Sequence, residues 1–281
     1  MLRPMPKRPA TVTRVCSLWL ITVSALALTA AHGQAQIATP DPAIYAPDYA
    51  TLINQDTFLR QSMRPVTPQE RSRRRERTNR PRRATGRELR RLRYSSSESV
   101  TAALRPTLID RLTNGFDARW DESFRNDIQA NVNDGTYLRG FAAGLEENHG
   151  QRRNLADAAS VATLMLFGAY ELEQGSAPQL DVRGARRYIL DNRQAFARNP
   201  RLRRMSDASK QREAETLATI AVQALSFQVA MYAFAAQGDD EASFAAGYLD
   251  RNRQLIREFL RKQLHFDVTA YRLTSKGFVQ P

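Results

Sequence analysis

The chain has 281 residues, 25% of them charged, and its formal net charge of +13 is carried by a cationic set that is nearly all arginine (38 Arg, 4 Lys). Its single cysteine, Cys16, lies in the N-terminal leader, which excludes a disulfide framework, a thiol nucleophile and a cysteine metal site from the rest of the chain. The charge is unevenly placed: residues 1–36 carry +4, 37–59 carry −3, 60–93 carry +11 and 94–281 only +1, so a folded domain that is basic throughout is excluded too.

A basic, proline-broken segment ending at Arg14 precedes a 16-residue apolar run, 15–30, and then come small residues up to Gly33, Gln34 and Ala35. This is the three-part layout of a secretory signal peptide, whose peptidase needs small side chains just before the cut. Residues 1–35 are therefore expected to be a signal peptide cleaved after Ala35, with Ala31 as the alternative, and the mature chain to be exported, periplasmic or extracellular. An uncleaved anchor competes with this reading, but the run is shorter than the roughly 20 residues that span a bilayer. Cys16 stands at the front of the run, whereas a lipoprotein signal puts its cysteine after it.

Residues 36–94 show no apolar period and are punctuated by Pro40, Pro42, Pro47, Pro65, Pro68 and Pro81. From Glu70 the composition is dominated by arginine, which predicts a basic linker without structure of its own, since like charges repel and little apolar surface can be buried. Three readings stay open for it. It is a solvated tether, or it adheres to anionic envelope surfaces through Arg71, Arg73, Arg74, Arg75, Arg77, Arg80, Arg82 and Arg83, or it meets nucleic acid, from which export would separate it.

From Ser95 onward the signals are helical, and no alternation long enough for a sheet is present. Residues 97–114 carry Val100, Leu104, Leu108 and Leu112 at four-residue steps, with Pro106 inside; residues 117–131 carry Trp120, Phe124 and Ile128 on one face. After the turn at Asn133, Asp134 and Gly135, a third helix carries Tyr137, Phe141 and Leu145, with Gly140 and Gly144 four apart. A fourth is expected over about 154–174: Asn154 is a good N-cap, Asp157 complements the helix dipole, residues 158–170 are uncharged on every side, and Gly175 supplies a stop. Residues 181–199 set Val182, Ala185, Ile189 and Phe196 against Arg186, Arg187, Arg193 and Arg198, and Pro200 closes that helix.

The longest element is expected over about 207–237, capped by Ser206 or Asp207 and stopped by Gly238. Its stretch 216–238 runs 23 residues without a charge, about 34 Å as a helix, which would cross a bilayer or form the axis of a domain. Seven alanines, three glutamines and acidic flanks favour the axis, with no transmembrane helix in the mature chain. A last helix, 241–264, presents Phe244, Tyr248, Leu255, Phe259 and Leu260 on one face, with Arg251, Arg253, Arg257 and Arg261 largely elsewhere; 267–281 is expected to dock as an extended tail.

These elements predict an all-α fold: one bundle-like, multi-helix domain over 95–281 built around two central apolar helices. The helix start from Asn154 to Ala158, the uncharged run after it and the closing Leu273-Thr274-Ser275-Lys276-Gly277-Phe278 resemble an uncharacterised family of exported bacterial helical proteins known only as a domain of unknown function. The resemblance covers about 98–281 and implies an exported helical domain, with no catalytic residues to carry over.

Chemistry is sparse in the sequence. Glu146 and His149 make one E-x-x-H unit, whereas a bundle di-iron site needs two such units and two further carboxylates. No catalytic, cofactor-binding or metal-binding set is assigned, and no hydrolase or phosphate-loop motif occurs. The sequence therefore predicts a non-catalytic binding, scaffolding or structural component of the bacterial cell envelope. One alternative is an envelope glycan hydrolase using Glu146 or Glu147, with the acidic group Asp117, Asp121 and Glu122 beside Trp120 a further place for carboxylate chemistry. The other is a carrier holding an apolar ligand between helices.

Overall fold

The computed structural model describes residues 83–113, 122–172, 181–264 and 266–280. Among the described residues there are nine helices and one two-stranded sheet, which makes the fold all-α. The expected signal peptide 1–35, the expected linker up to residue 82, Asp117, Trp120, Asp121, Gly175 and His265 lie outside the described residues.

Structure begins earlier than composition indicates. Helix α1, Gly86–Arg90, sits inside what reads as linker and is started by a capping box: Glu88 N donates to Thr85 Oγ1 at 3.2 Å, and Thr85 N donates to Glu88 Oε2 at 2.8 Å. Leu92 is only 1% exposed. Its carbonyl accepts from Leu155 N at 3.1 Å, and Tyr94 N donates to the Arg153 carbonyl at 3.0 Å. Residues 83–94 therefore belong to the domain. Their arginines hide the two leucines, Leu89 and Leu92, that seat them.

Helices α2, Glu98–Thr113, α3, Glu122–Asn133, and α4, Thr136–Glu147, follow. α2 runs unbroken past Pro106 and buries Leu108 and Leu112. α4 buries Tyr137, Phe141 and Leu145, the three positions its period predicts. Helix α5, Leu155–Glu171, is buried along its whole length from Leu155 to Ala169. Helix α6, Val182–Arg198, is capped by Asp181, whose carboxylate accepts from Gly184 N at 2.8 Å. A five-residue helix, α7, Pro200–Arg204, connects it to α8, Asp207–Ala235, and α9, Asp239–Leu264, closes the bundle.

The axis is α8. It packs on α5, α9, α4 and α2, and α5 packs in turn on α6 and α9. The close meeting of α5 and α8 follows from small residues on both: Ala158, Ala159 and Ala162 on one, Ala214, Ala218 and Ala221 on the other, all buried. By length and composition α8 could cross a membrane, yet 67% of its most apolar stretch is buried inside the fold. Its glutamines are used in the interior. Gln223 accepts from the Tyr137 hydroxyl of α4. Gln228 accepts from Asn252 Nδ2 of α9 at 2.7 Å, and the same nitrogen reaches the Ala224 carbonyl at 3.2 Å. Buried amides joined in this way hold neighbouring helices in one register.

The tail folds rather than lying extended. After a 3₁₀ turn at Val268–Ala270, β1, Arg272–Thr274, pairs antiparallel with β2, Gly277–Val279, through a turn that needs φ +89° at Gly277. The hairpin drives Phe278 into an aromatic group, with ring centroids 4.7 Å from Phe266, 4.9 Å from Tyr188 and 5.0 Å from Phe167. It can do so because α6 carries Gly184 opposite it: a Cβ there would overlap the Thr274 carbonyl oxygen.

Candidate functional site

Among the described residues the acidic candidates Glu122, Glu146 and Glu147 do not form a common site. Glu146 is exposed and ion-paired with Arg152. His149 lies past the end of α4 in a left-handed turn, φ 57°, and is exposed, so the E-x-x-H spacing does not put both side chains on one helical face. Among the described residues no three His, Cys, Asp or Glu side chains could hold one metal ion. Glu122 opens α3 as an exposed residue. Glu147 differs from its neighbour. It is half-buried, its Oε2 is shielded with no hydrogen-bond partner, and burial pushes its pKa up to about 7.

Two other carboxylates carry more of the interior chemistry. Asp157 is 0% exposed and Arg193 15%, and they form a two-pronged ion pair: Nε to Oδ1 at 2.5 Å and a terminal nitrogen to Oδ2 at 2.6 Å. Gln151 N also donates to Asp157 Oδ2 at 2.5 Å, and Arg193 reaches the His149 carbonyl at 3.3 Å. The sequence places Asp157 at the helix start to complement the dipole and Arg193 on a solvated face. In the fold Asn154 caps the helix, accepting from Ala156 N at 3.0 Å and Asp157 N at 3.4 Å, while Asp157 fastens α5 to α6 and to the 149–151 turn. Beside this pair Asn192 donates to Ser160 Oγ at 3.0 Å, and Ser160 and Thr163 return their hydroxyl protons to the carbonyls one turn earlier.

Glu215 is the second. Its Oε1 accepts from Thr101 Oγ1 and Gln211 Nε2, each at 2.8 Å, whereas Oε2 is buried and unpartnered. Burial raises its pKa above the ordinary carboxylate value. The adjoining cavity, about 10 Å³, is lined by Arg105, Leu108, Val132, Tyr137, Glu215 and Thr219 among others. That is room for about one water molecule and too little for an apolar ligand. Nothing in the sequence marks Glu215, because a charged residue in the first turns of a long helix reads as solvated.

The arginine surface is the third feature. Arg83, the last of the predicted adhesive arginines, is exposed; the other seven lie outside the described residues. Beyond them the fold brings α1 and α7 together, since Arg203 donates to Glu88 Oε1 at 3.0 Å and Ala84 N donates to Gln194 Oε1 of α6 at 2.8 Å. Arg87, Arg90, Arg91 and Arg204 stand exposed at that corner. Arg253, by contrast, is not a surface charge: it donates to the Leu172 carbonyl at 2.6 Å and, with Tyr232 at 2.7 Å, satisfies the last turn of α5.

The class that fold and site define is a helical bundle whose interior polar groups knit helices together and which carries exposed arginines at the corner of α1 and α7. Comparison of the chain with protein-family models, with curated proteins and with solved structures finds no match.

Proposed function

We propose that this protein is an exported, non-catalytic helical component of the bacterial cell envelope, binding or scaffolding at an anionic envelope surface with the arginine tract 71–83 as its adhesive region. The observation that carries this reading is the contrast between interior and exterior charge. The core between α5 and α8 is lined by buried side chains, and its fully buried carboxylate, Asp157, is paired with Arg193. The excess positive charge belongs to 60–93 in the sequence, and in the described part of that stretch Arg83, Arg87, Arg90, Arg91 and Arg93 are all exposed. The layout of residues 1–35 and the resemblance of the Asn154 and Leu273 motifs to exported helical proteins support the location. The experiment is to remove residues 60–82, which leaves the packed segment 83–94 in place. Binding to anionic vesicles at low salt should fall at least about tenfold; unchanged binding would refute the adhesive role.

One observation favours a second reading, carboxylate catalysis on an envelope glycan. Glu147 is half-buried, with a shielded, unpartnered Oε2 and the raised pKa that a general acid needs, while Glu146 is engaged by Arg152. Glycan release by the full chain that disappears in E147Q would establish it. Absence of release by the unaltered chain would remove it.

A further inference from the structure

Residues 83–94 and 198–204 meet at one corner, and between them they hold nine arginines and a single carboxylate, Glu88. That carboxylate is already engaged, by Arg203 at 3.0 Å. Leu89 and Leu202 turn inward and seat the two short helices. Arg87, Arg90, Arg91 and Arg204 are left exposed on a fixed surface. One turn before Gln194, which ties Ala84 to α6, Leu190 is 45% exposed; Arg186 lies one turn further back and Val182, 47% exposed, another turn beyond. The nearest carboxylate along that stretch, Asp191, is ion-paired with Arg187 at 3.4 Å.

We infer that α1, α7 and the outer face of α6 form a docking face for an anionic phospholipid bilayer, with the arginines on headgroup phosphates and Leu190 at the boundary between headgroups and acyl chains. The inference rests on the adhesive reading above and extends it from a chain segment to an ordered surface. Guanidinium groups donate two parallel hydrogen bonds to a phosphate, and several near one anionic surface act together. An exposed leucine set among arginines is what an interfacial element carries. Single-stranded nucleic acid would instead call for exposed aromatic rings on which bases stack. Among the described residues the large apolar side chains exposed are Val182 and Leu190, both aliphatic.

The test is flotation of the full chain with phosphatidylglycerol–phosphatidylethanolamine vesicles, against phosphatidylcholine vesicles, at about 0.1 M salt where surface charge is only partly screened. The variant R87Q/R90Q/R91Q/R204Q, with residues 71–82 intact and its thermal transition checked, should bind the anionic vesicles at least about tenfold more weakly. L190Q, a single exposed change, should lose about threefold. Unchanged binding by both variants overturns the docking face. If removal of 60–82 weakens binding while both variants bind as the unaltered chain does, the adhesive tract stands and the docking face falls. If the unaltered chain ignores anionic vesicles, both fall, and a preference for duplex DNA over vesicles gives the corner to nucleic acid instead.

Discussion

The end of α5 around Asp157 and the corner where α1 meets α7 treat charge in opposite ways. At Asp157 a carboxylate with no solvent exposure is answered by a two-pronged arginine and a backbone amide, so nothing remains for an outside partner. At the corner the arginines outnumber carboxylates nine to one, and Arg87, Arg90, Arg91 and Arg204 among them face water. The first arrangement serves the fold. The second serves it little, since exposed like charges repel, and it is where a partner of opposite charge would gain.

The largest expected effect breaks the first region. R193M leaves Asp157 buried without its counter-charge and should destabilise the domain by about 3–5 kcal/mol. For a domain of this size that is a fall in Tm of roughly 6–20 °C. A calorimetric shift under about 2 °C would mean that water can reach Asp157. Next comes G184A. Its methyl group overlaps the Thr274 carbonyl, so the hairpin must shift and Phe278 lose its place between Phe167, Phe266 and Tyr188. Denaturant titration should show a loss of about 2–4 kcal/mol.

Glu147 makes a smaller, pH-dependent contribution. Its pKa is raised from the ordinary 4.5 to about 7 in the fold, so the native state holds the proton more tightly than the unfolded chain. The associated stability is complete below about pH 4.5 and is lost as pH rises through about 7. E147Q should flatten this part of the Tm-against-pH curve, and an unchanged curve would show that the carboxyl is solvated. The smallest effect belongs to the corner. R87Q/R90Q/R91Q/R204Q should leave Tm within a few degrees or raise it slightly, because surface charges far from packed groups contribute about 0.5 kcal/mol or less each. A large fall would show that those arginines hold the fold together.

Much of the fold is legible in the sequence because helical period and capping are local. Leu108 and Leu112, then Tyr137, Phe141 and Leu145, are buried where the spacing puts them, and Asn154, Asp181 and Ser206 cap the helices they precede. The uncharged stretch of α8 is the axis for the reason its composition gives: alanines admit close neighbours, and its glutamines find partners on α4 and α9. What was not legible depends on residues distant in sequence. Val182, on the predicted apolar face of α6, is exposed, whereas Arg193, on the predicted polar face, is nearly buried because Asp157 lies 36 positions away. The order of residues 83–94 was concealed by arginine content, although Thr85 and Glu88 form a capping box that spacing alone could have revealed. Glu215 and the hairpin position of Phe278 likewise depend on contacts that no single window contains.

Hydrogen exchange of the full chain with and without phosphatidylglycerol vesicles tests the difference between the two regions most directly. Added protection is expected at amides of 84–94, the exposed turns of α6 and 198–204, with α5 and the core of α8 unchanged. Protection centred on the turn between α8 and α9, or no protection at the corner while the vesicles bind, would contradict it.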